Sequence, residues 1–190
     1  GIILALGRRS KMTVIRVLCV AFIELFRSVP LITILFMATT MFPLFLPGGM
    51  VIDKLASAIV AVCLFAAAYM AEVVRGGLQA IPKGQYEAAE AVGLTYWQAT
   101  VLIVMPQALK FMIPNIVGNF MGLLKDTTLV SIIGLYDLLG MINAVSHDPK
   151  WIGLHHEPLF TAAVIFFIGC FTMSKYSQHL ERTLGAGNNR

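Results

Sequence analysis

The sequence predicts an all-α membrane protein, and three observations carry that prediction. Of its 190 residues 58% are apolar, only 13% are charged, and the mean hydropathy is +0.81. A soluble domain has roughly a quarter of its residues charged. Charge-free stretches run from Ser28 to Ile52, Leu55 to Ala71, Ala91 to Leu109 and Pro158 to Ser174. About 20 predominantly apolar residues cross a bilayer as helix, and these runs approach or exceed that. Helix breakers (Pro43, Pro47, Gly48 and Gly49 after the first run) separate the stretches as span ends should.

The charge balance excludes other classes. Net charge is +4, but the basic residues stand singly or in pairs beside apolar spans. No basic patch interleaves with aromatics, so nucleic acid is not a partner. Cys19, Cys63 and Cys170 sit inside apolar runs and read as packed free thiols rather than as a disulfide or metal framework. His147, His155, His156 and His179 have no carboxylate or cysteine partner at ligand spacing, so no metal site is expected. There is no G-x-x-x-x-G-K-[ST] phosphate loop and no nucleophile elbow. Neither a catalytic residue nor a cofactor of its own is expected in this chain.

The elements follow in order. Residues Gly1 to Gly7 are apolar but too short to span, and Arg8, Arg9 and Lys11 follow at once. They read as the tail of a truncated spanning helix, in a single transmembrane domain covering 1–190. A helix is expected from about Val17 to Leu46, a second span from Leu55 to Arg75, a third from Thr95 through Pro106 and Pro114 toward Leu124, and a last from Pro158 to Tyr176, before a polar tail ending at Arg190. The prolines remove backbone donors and should kink the third span. Asp126 and Asp137 bracket only ten uncharged residues, so Thr127 to Ser146 should lie at the outer surface or re-enter rather than cross. The bundle is then a five-span core with its first span cut short.

Lysine and arginine bias orients it. One side holds Arg8, Arg9, Lys11, Arg16, Arg75, Lys83, Lys110, Lys175, Arg182 and Arg190; the other holds Lys54 and Lys150, with Arg27 and Lys125 in or near spans. The rich side is cytoplasmic.

The cytoplasmic loop between the second and third spans, about 82–98, is the most informative stretch. Pro82 and Gly84 break the preceding helix, and Gln85 to Val92 are mostly good helix formers with Glu87 near the positive end of the dipole. Gly93 stands where a left-handed cap is wanted. Thr95 and Gln98 have capping-box spacing for the next helix. A short rigid helix with a sharp turn results, whose Ala88, Ala89 and Ala91 offer a surface a partner's groove can approach.

The spacing Glu87-Ala88-Ala89, three residues, Gly93, nine residues, Ile103, one residue, Met105-Pro106 resembles the EAA loop of ATP-binding-cassette (ABC) importer permeases, with Met105 in place of leucine. The resemblance covers nearly the whole chain. Glu24-Leu25-Phe26-Arg27-Ser28-Val29-Pro30-Leu31 is similar to the E-x-x-R-G-x-P-L segment of polar amino-acid permeases, with Ser28 for glycine, and 69–81 and 125–134 are similarly typical. The wording is closest to permeases of general L-amino-acid importers.

The resemblance implies a type I, MetI-like helix bundle in the bacterial inner membrane, importing polar or general L-amino acids. It implies ATPase subunits that bind ATP and magnesium, a second permease subunit (identical or homologous) and an extracytoplasmic substrate-binding protein. The coupling roles fall on Glu87, Ala88, Ala89 and Gly93. An ion-gradient-driven secondary amino-acid transporter, working through Glu24, Glu72 or Asp126, is the alternative.

Polar residues at membrane depth are costly and face the bundle interior. Glu24 and Arg27, like Glu72 and Arg75, are three apart and can share a helix face, either as local ion pairs or as gate elements. Asn115 and Asn119 are four apart, open to interhelical hydrogen bonding or to a substrate pathway. Gly118 and Gly122 form a G-x-x-x-G suited to close helix packing. Lys125 and Asp126 are expected to neutralise each other, or to contact substrate.

Overall fold

The computed structural model describes residues 1–45, 53–149 and 156–185. The described residues are helical nearly throughout: α1 (Ile2–Arg8), α2 (Thr13–Ser28), α3 (Leu31–Phe36), α4 (Lys54–Gln79), α5 (Lys83–Ala91), α6 (Tyr96–Ala99), α7 (Met105–Asp126), α8 (Leu138–Ser146) and α9 (His156–Gly185). The expected stops Pro47, Gly48 and Gly49, with Leu46, Lys150, His155 and the tail 186–190, lie outside the described residues.

Among the described residues, three helical stretches are long and apolar enough to cross a membrane: Lys54–Gln79, Tyr96–Ile133 and His156–Leu184. The expected helix from Val17 to Leu46 is not one rod. It breaks after Ser28, and the two arms meet at 105°. Pro30 is the cause: its ring disfavours helical geometry in the residue before it, and Val29 takes the extended alternative at φ −105°, ψ 134°. The second arm then loosens into a π turn at Met37–Met41 and a 3-10 turn at Phe42–Phe45. There the hydroxyls of Thr39 and Thr40 donate back to the carbonyls of Leu35 and Phe36.

Neither proline divides the third span. Pro114 sits inside an uninterrupted α7, and Pro106 opens it. The disturbance from Pro106 falls just upstream, in a π turn at Thr100–Val104. With 38 residues this stretch exceeds what a bilayer requires, so its ends project. The segment after Asp126 forms no long helix of its own: it is a 3-10 turn, Thr127–Ile133, closed by Gly134 at φ +79° and followed by the nine-residue α8.

Helix α4 is the central element, packed against α1, α2, α3 and α7. Its buried face is largely Ala58, Ala61, Ala68, Ala71 and Gly77, small residues that let backbones approach where lipid gives no hydrophobic drive to associate. A side chain at Gly77 would overlap Met112 and come within 3.0 Å of the Ala108 carbonyl oxygen. One core cluster joins Ala5, Ile23, Val74, Leu78, Val104 and Met112; a second joins Leu31, Leu35, Ala58, Ala61 and Ile133.

Candidate functional site

The loop helix is built as its residues require. Pro82 is the cap residue and α5 begins at Lys83, two residues earlier than the helix formers suggest. Glu87 therefore lies a full turn inside, and the first turn holds no acid. The far end is a Schellman cap: Leu94 N–H donates to Ala89 O (3.1 Å) and Gly93 N–H to Glu90 O (2.9 Å). Gly93 takes φ +79°, where a Cβ would meet the following carbonyl. The capping box of α6 is complete, with Thr95 N–H donating to Gln98 Oε1 (2.9 Å) and Gln98 N–H to Thr95 Oγ1 (3.4 Å).

One expected contact residue is not on the outer face. Ala89 is 1% exposed, packed inward because α5 lies against its own bundle. The outward surface is Glu87, Ala88, Glu90, Ala91 and Val92. Tyr86 fastens the helix: its hydroxyl donates to Leu78 O at the end of α4 (3.2 Å) and accepts from Arg9 (3.3 Å), whose guanidinium lies 5.6 Å from the ring centroid.

The charges beneath this loop are arranged differently from the expected local pairs. Glu72 and Arg75 do pair, at 2.7 Å. Glu24 and Arg27 do not bond each other among the described residues; Glu24 meets Arg8 at 3.4 Å and Arg27 meets Glu72 at 3.6 Å. Arg8 also reaches Glu72 at 2.6 Å. Three guanidiniums from α1, α2 and α4 thus converge on one carboxylate, which is 15% exposed. Arg8 escaped the sequence reading because a basic residue beside a span looks like an interfacial anchor.

Beside the cluster a cleft of about 260 Å³ opens between α4 and α7, lined by Phe65, Tyr69, Met70, Gly118, Asn119, Gly122 and Asp126 among others. Asn119 Nδ2 is buried there without a hydrogen-bond partner among the described residues, while Asn115 is exposed and off the cleft. The expected Lys125–Asp126 pair is absent among the described residues: Lys125 is exposed and Asp126 turns to the cleft. Adjacent helical residues point about 100° apart, so sequence neighbours do not face one another. Nor do Gly118 and Gly122 pack closely here: an added Cβ at either meets nothing within 4 Å. They widen the cleft instead. Tyr69 bridges cleft and cluster, with Arg27 5.8 Å from its ring centroid.

Fold and site together define an integral membrane helix bundle with a capped helix projecting from one end. Residues 1–185 match the family described as binding-protein-dependent transport system inner membrane component, and the chain belongs to that family. It is 55% identical to the inner membrane amino-acid ABC transporter permease protein YhdY of Escherichia coli (strain K12), over 98% of this chain and 51% of that protein. It is also 55% identical to the glutamate/glutamine/aspartate/asparagine transport system permease protein BztC of Rhodobacter capsulatus, over 97% of this chain and 43% of that one. The chain thus spans about half the length of these two curated relatives. The crystal structure of an amino acid ABC transporter with histidines superposes with a TM-score of 0.84 at 31% identity, covering 96% of this chain and 83% of that chain. The fold is the type I importer, MetI-like helix bundle.

Proposed function

We propose that this chain forms the translocation pathway of an ATP-driven importer of polar L-amino acids, as a multi-pass permease subunit of the bacterial inner membrane. Hydrolysis belongs to separate ATPase subunits that bind ATP and magnesium, and no catalytic residue or cofactor is assigned to this chain. A second permease subunit, identical or homologous, completes the pathway, and an extracytoplasmic binding protein delivers the substrate.

The observation that carries the reading is α5: a helix rigidly capped at Gly93 that presents Glu87, Ala88 and Ala91 outward. The small side chains of Ala88 and Ala91 suit close insertion into a groove of the ATPase, Glu87 adds a charged contact, and Ala89 and Gly93 set the pose. In the cleft, Asp126 carries the charge to meet a substrate ammonium, and Asn119 offers a neutral donor and acceptor. Lys125 and Asn115, both exposed, stand outside that contact. The Glu24, Arg27, Glu72 and Arg75 cluster, with Arg8, serves as a gate at the end of the bundle nearest α5.

The test is uptake of labelled glutamate, glutamine, aspartate and asparagine into vesicles carrying the full-length protein with its ATPase and binding protein. Uptake should require hydrolysable ATP and survive collapse of ion gradients. Glu87→Lys should abolish ATPase association while leaving membrane insertion intact. Uptake that follows an ion gradient without ATP overturns the reading in favour of a secondary transporter.

A further inference from the structure

Two adjacent residues of α5 attach it to the bundle at different points. Tyr86 is tied to the last turn of α4 through the Leu78 carbonyl. Gln85 accepts a hydrogen bond of 3.0 Å from Gln107 Nε2, and the same amide donates to the Ile103 carbonyl at 3.0 Å. Ile103 lies within the π turn that precedes Pro106. That turn has a chemical origin: Pro106 brings no N–H, so a regular α-helix would leave the Leu102 carbonyl without its donor. A wider turn moves each donor one residue along, as Met105 N–H bonding to Thr100 O shows. Such turns are places where a helix can rewind cheaply, and they concentrate at functional sites. Val104 at its end is fully buried in the core that also contains Leu78 and Met112, so a change in winding there moves packed side chains.

We propose that Gln107 is a positioning residue that carries displacement of the loop helix into the π turn of the third span. Tyr86 is the pivot that holds α5 to α4. Gln85, one residue along, is the lever, and the Gln107 amide passes its movement to the Ile103 carbonyl and so to the winding of 100–104. The inference rests on the permease reading, because it needs a partner that moves α5.

The experiment reconstitutes the full importer in liposomes and measures labelled glutamine and glutamate imported per ATP hydrolysed. Gln107→Leu should assemble with the ATPase and hydrolyse ATP at the wild-type basal rate while that ratio falls about fivefold, the weight of one net hydrogen bond. Gln85→Leu should reproduce the fall, and the double variant should be no worse than Gln107→Leu, since both singles break the Gln85–Gln107 contact and Gln107→Leu also removes the bond to Ile103. Gln85→Glu keeps an acceptor oxygen at the same reach and should hold the ratio within about twofold of wild type. An unchanged ratio in Gln107→Leu, loss of assembly, or an equal fall in Gln85→Glu overturns the proposal while wild-type coupling stands. If the wild-type chain itself supports no ATP-dependent uptake, the permease reading falls and this inference with it.

Discussion

The bonds that end α5 and open α6 join residues at most five positions apart. The ion pairs on Glu72, at the same end of the bundle, reach as far as 64 positions along the chain. The two regions differ in what holds them. The loop is held by backbone conformation and capping, each bond fixed once its own few residues take their preferred dihedrals. The cluster exists only because α1, α2 and α4 are packed together, and it holds three cations against two carboxylates in a partly buried place. A locally encoded element can survive change in the rest of the bundle; a cluster of distant charges cannot.

The contrast can be broken at several strengths. Glu72→Ala should have the largest effect, leaving three guanidiniums without their shared carboxylate and lowering stability by about 3 kcal/mol. A thermal melt of the detergent-purified protein measures it, and Glu72→Asp should recover part of the loss. If the melt is unmoved, the cluster does not hold the three helices together. Gly93→Val comes next: the left-handed backbone at φ +79° should cost about 1–2 kcal/mol. Because nothing crowds the position within 4 Å, the bundle should melt as wild type while ATPase association is lost. A lowered global melt in this variant would show the loop to be no independent unit.

Smaller effects sharpen the same line. Thr95→Ala removes the N-terminal cap of α6 and should cost about 1 kcal/mol locally, read as faster hydrogen exchange in 96–99 with protection in α4 unchanged. Lys125→Gln should be nearly silent, within about 0.5 kcal/mol, as an exposed charge with no ion-pair partner among the described residues. Substantial loss of stability there would mean that Lys125 and Asp126 do neutralise each other.

How much was legible follows the same division. Gly93, Thr95 and Gln98 are where the residue types place them, because caps depend on spacings of three to five residues. The break at Pro30 was legible in principle from the restriction a proline puts on the residue before it, but the apolar run around it reads as one span. The pairing of Glu24 with Arg27, and of Lys125 with Asp126, followed from sequence proximity and was overturned by packing that offered nearer partners or turned the side chains apart. Ala89 was expected outside and lies inside, since a composition of small residues does not say which face of a short helix meets its own protein. Arg8, Tyr69, Tyr86 and Gln107 carried no signal short of a neighbour in space.

The sequence by itself determined that the chain is a set of apolar helices, that three of the spans begin within two residues of Leu55, Thr95 and Pro158, and that a stiff capped helix stands in the loop between two of them. These are consequences of hydropathy and of backbone preferences that act within a turn or two. Only the tertiary structure decided that three arginines share Glu72, that Asn119 and Asp126 face a common cleft while Asn115 and Lys125 do not, and that α5 is fastened through Gln85 and Tyr86. Each of those depends on which helix faces lie within hydrogen-bond reach, and reach is set by the crossing of whole helices rather than by any local run of residues.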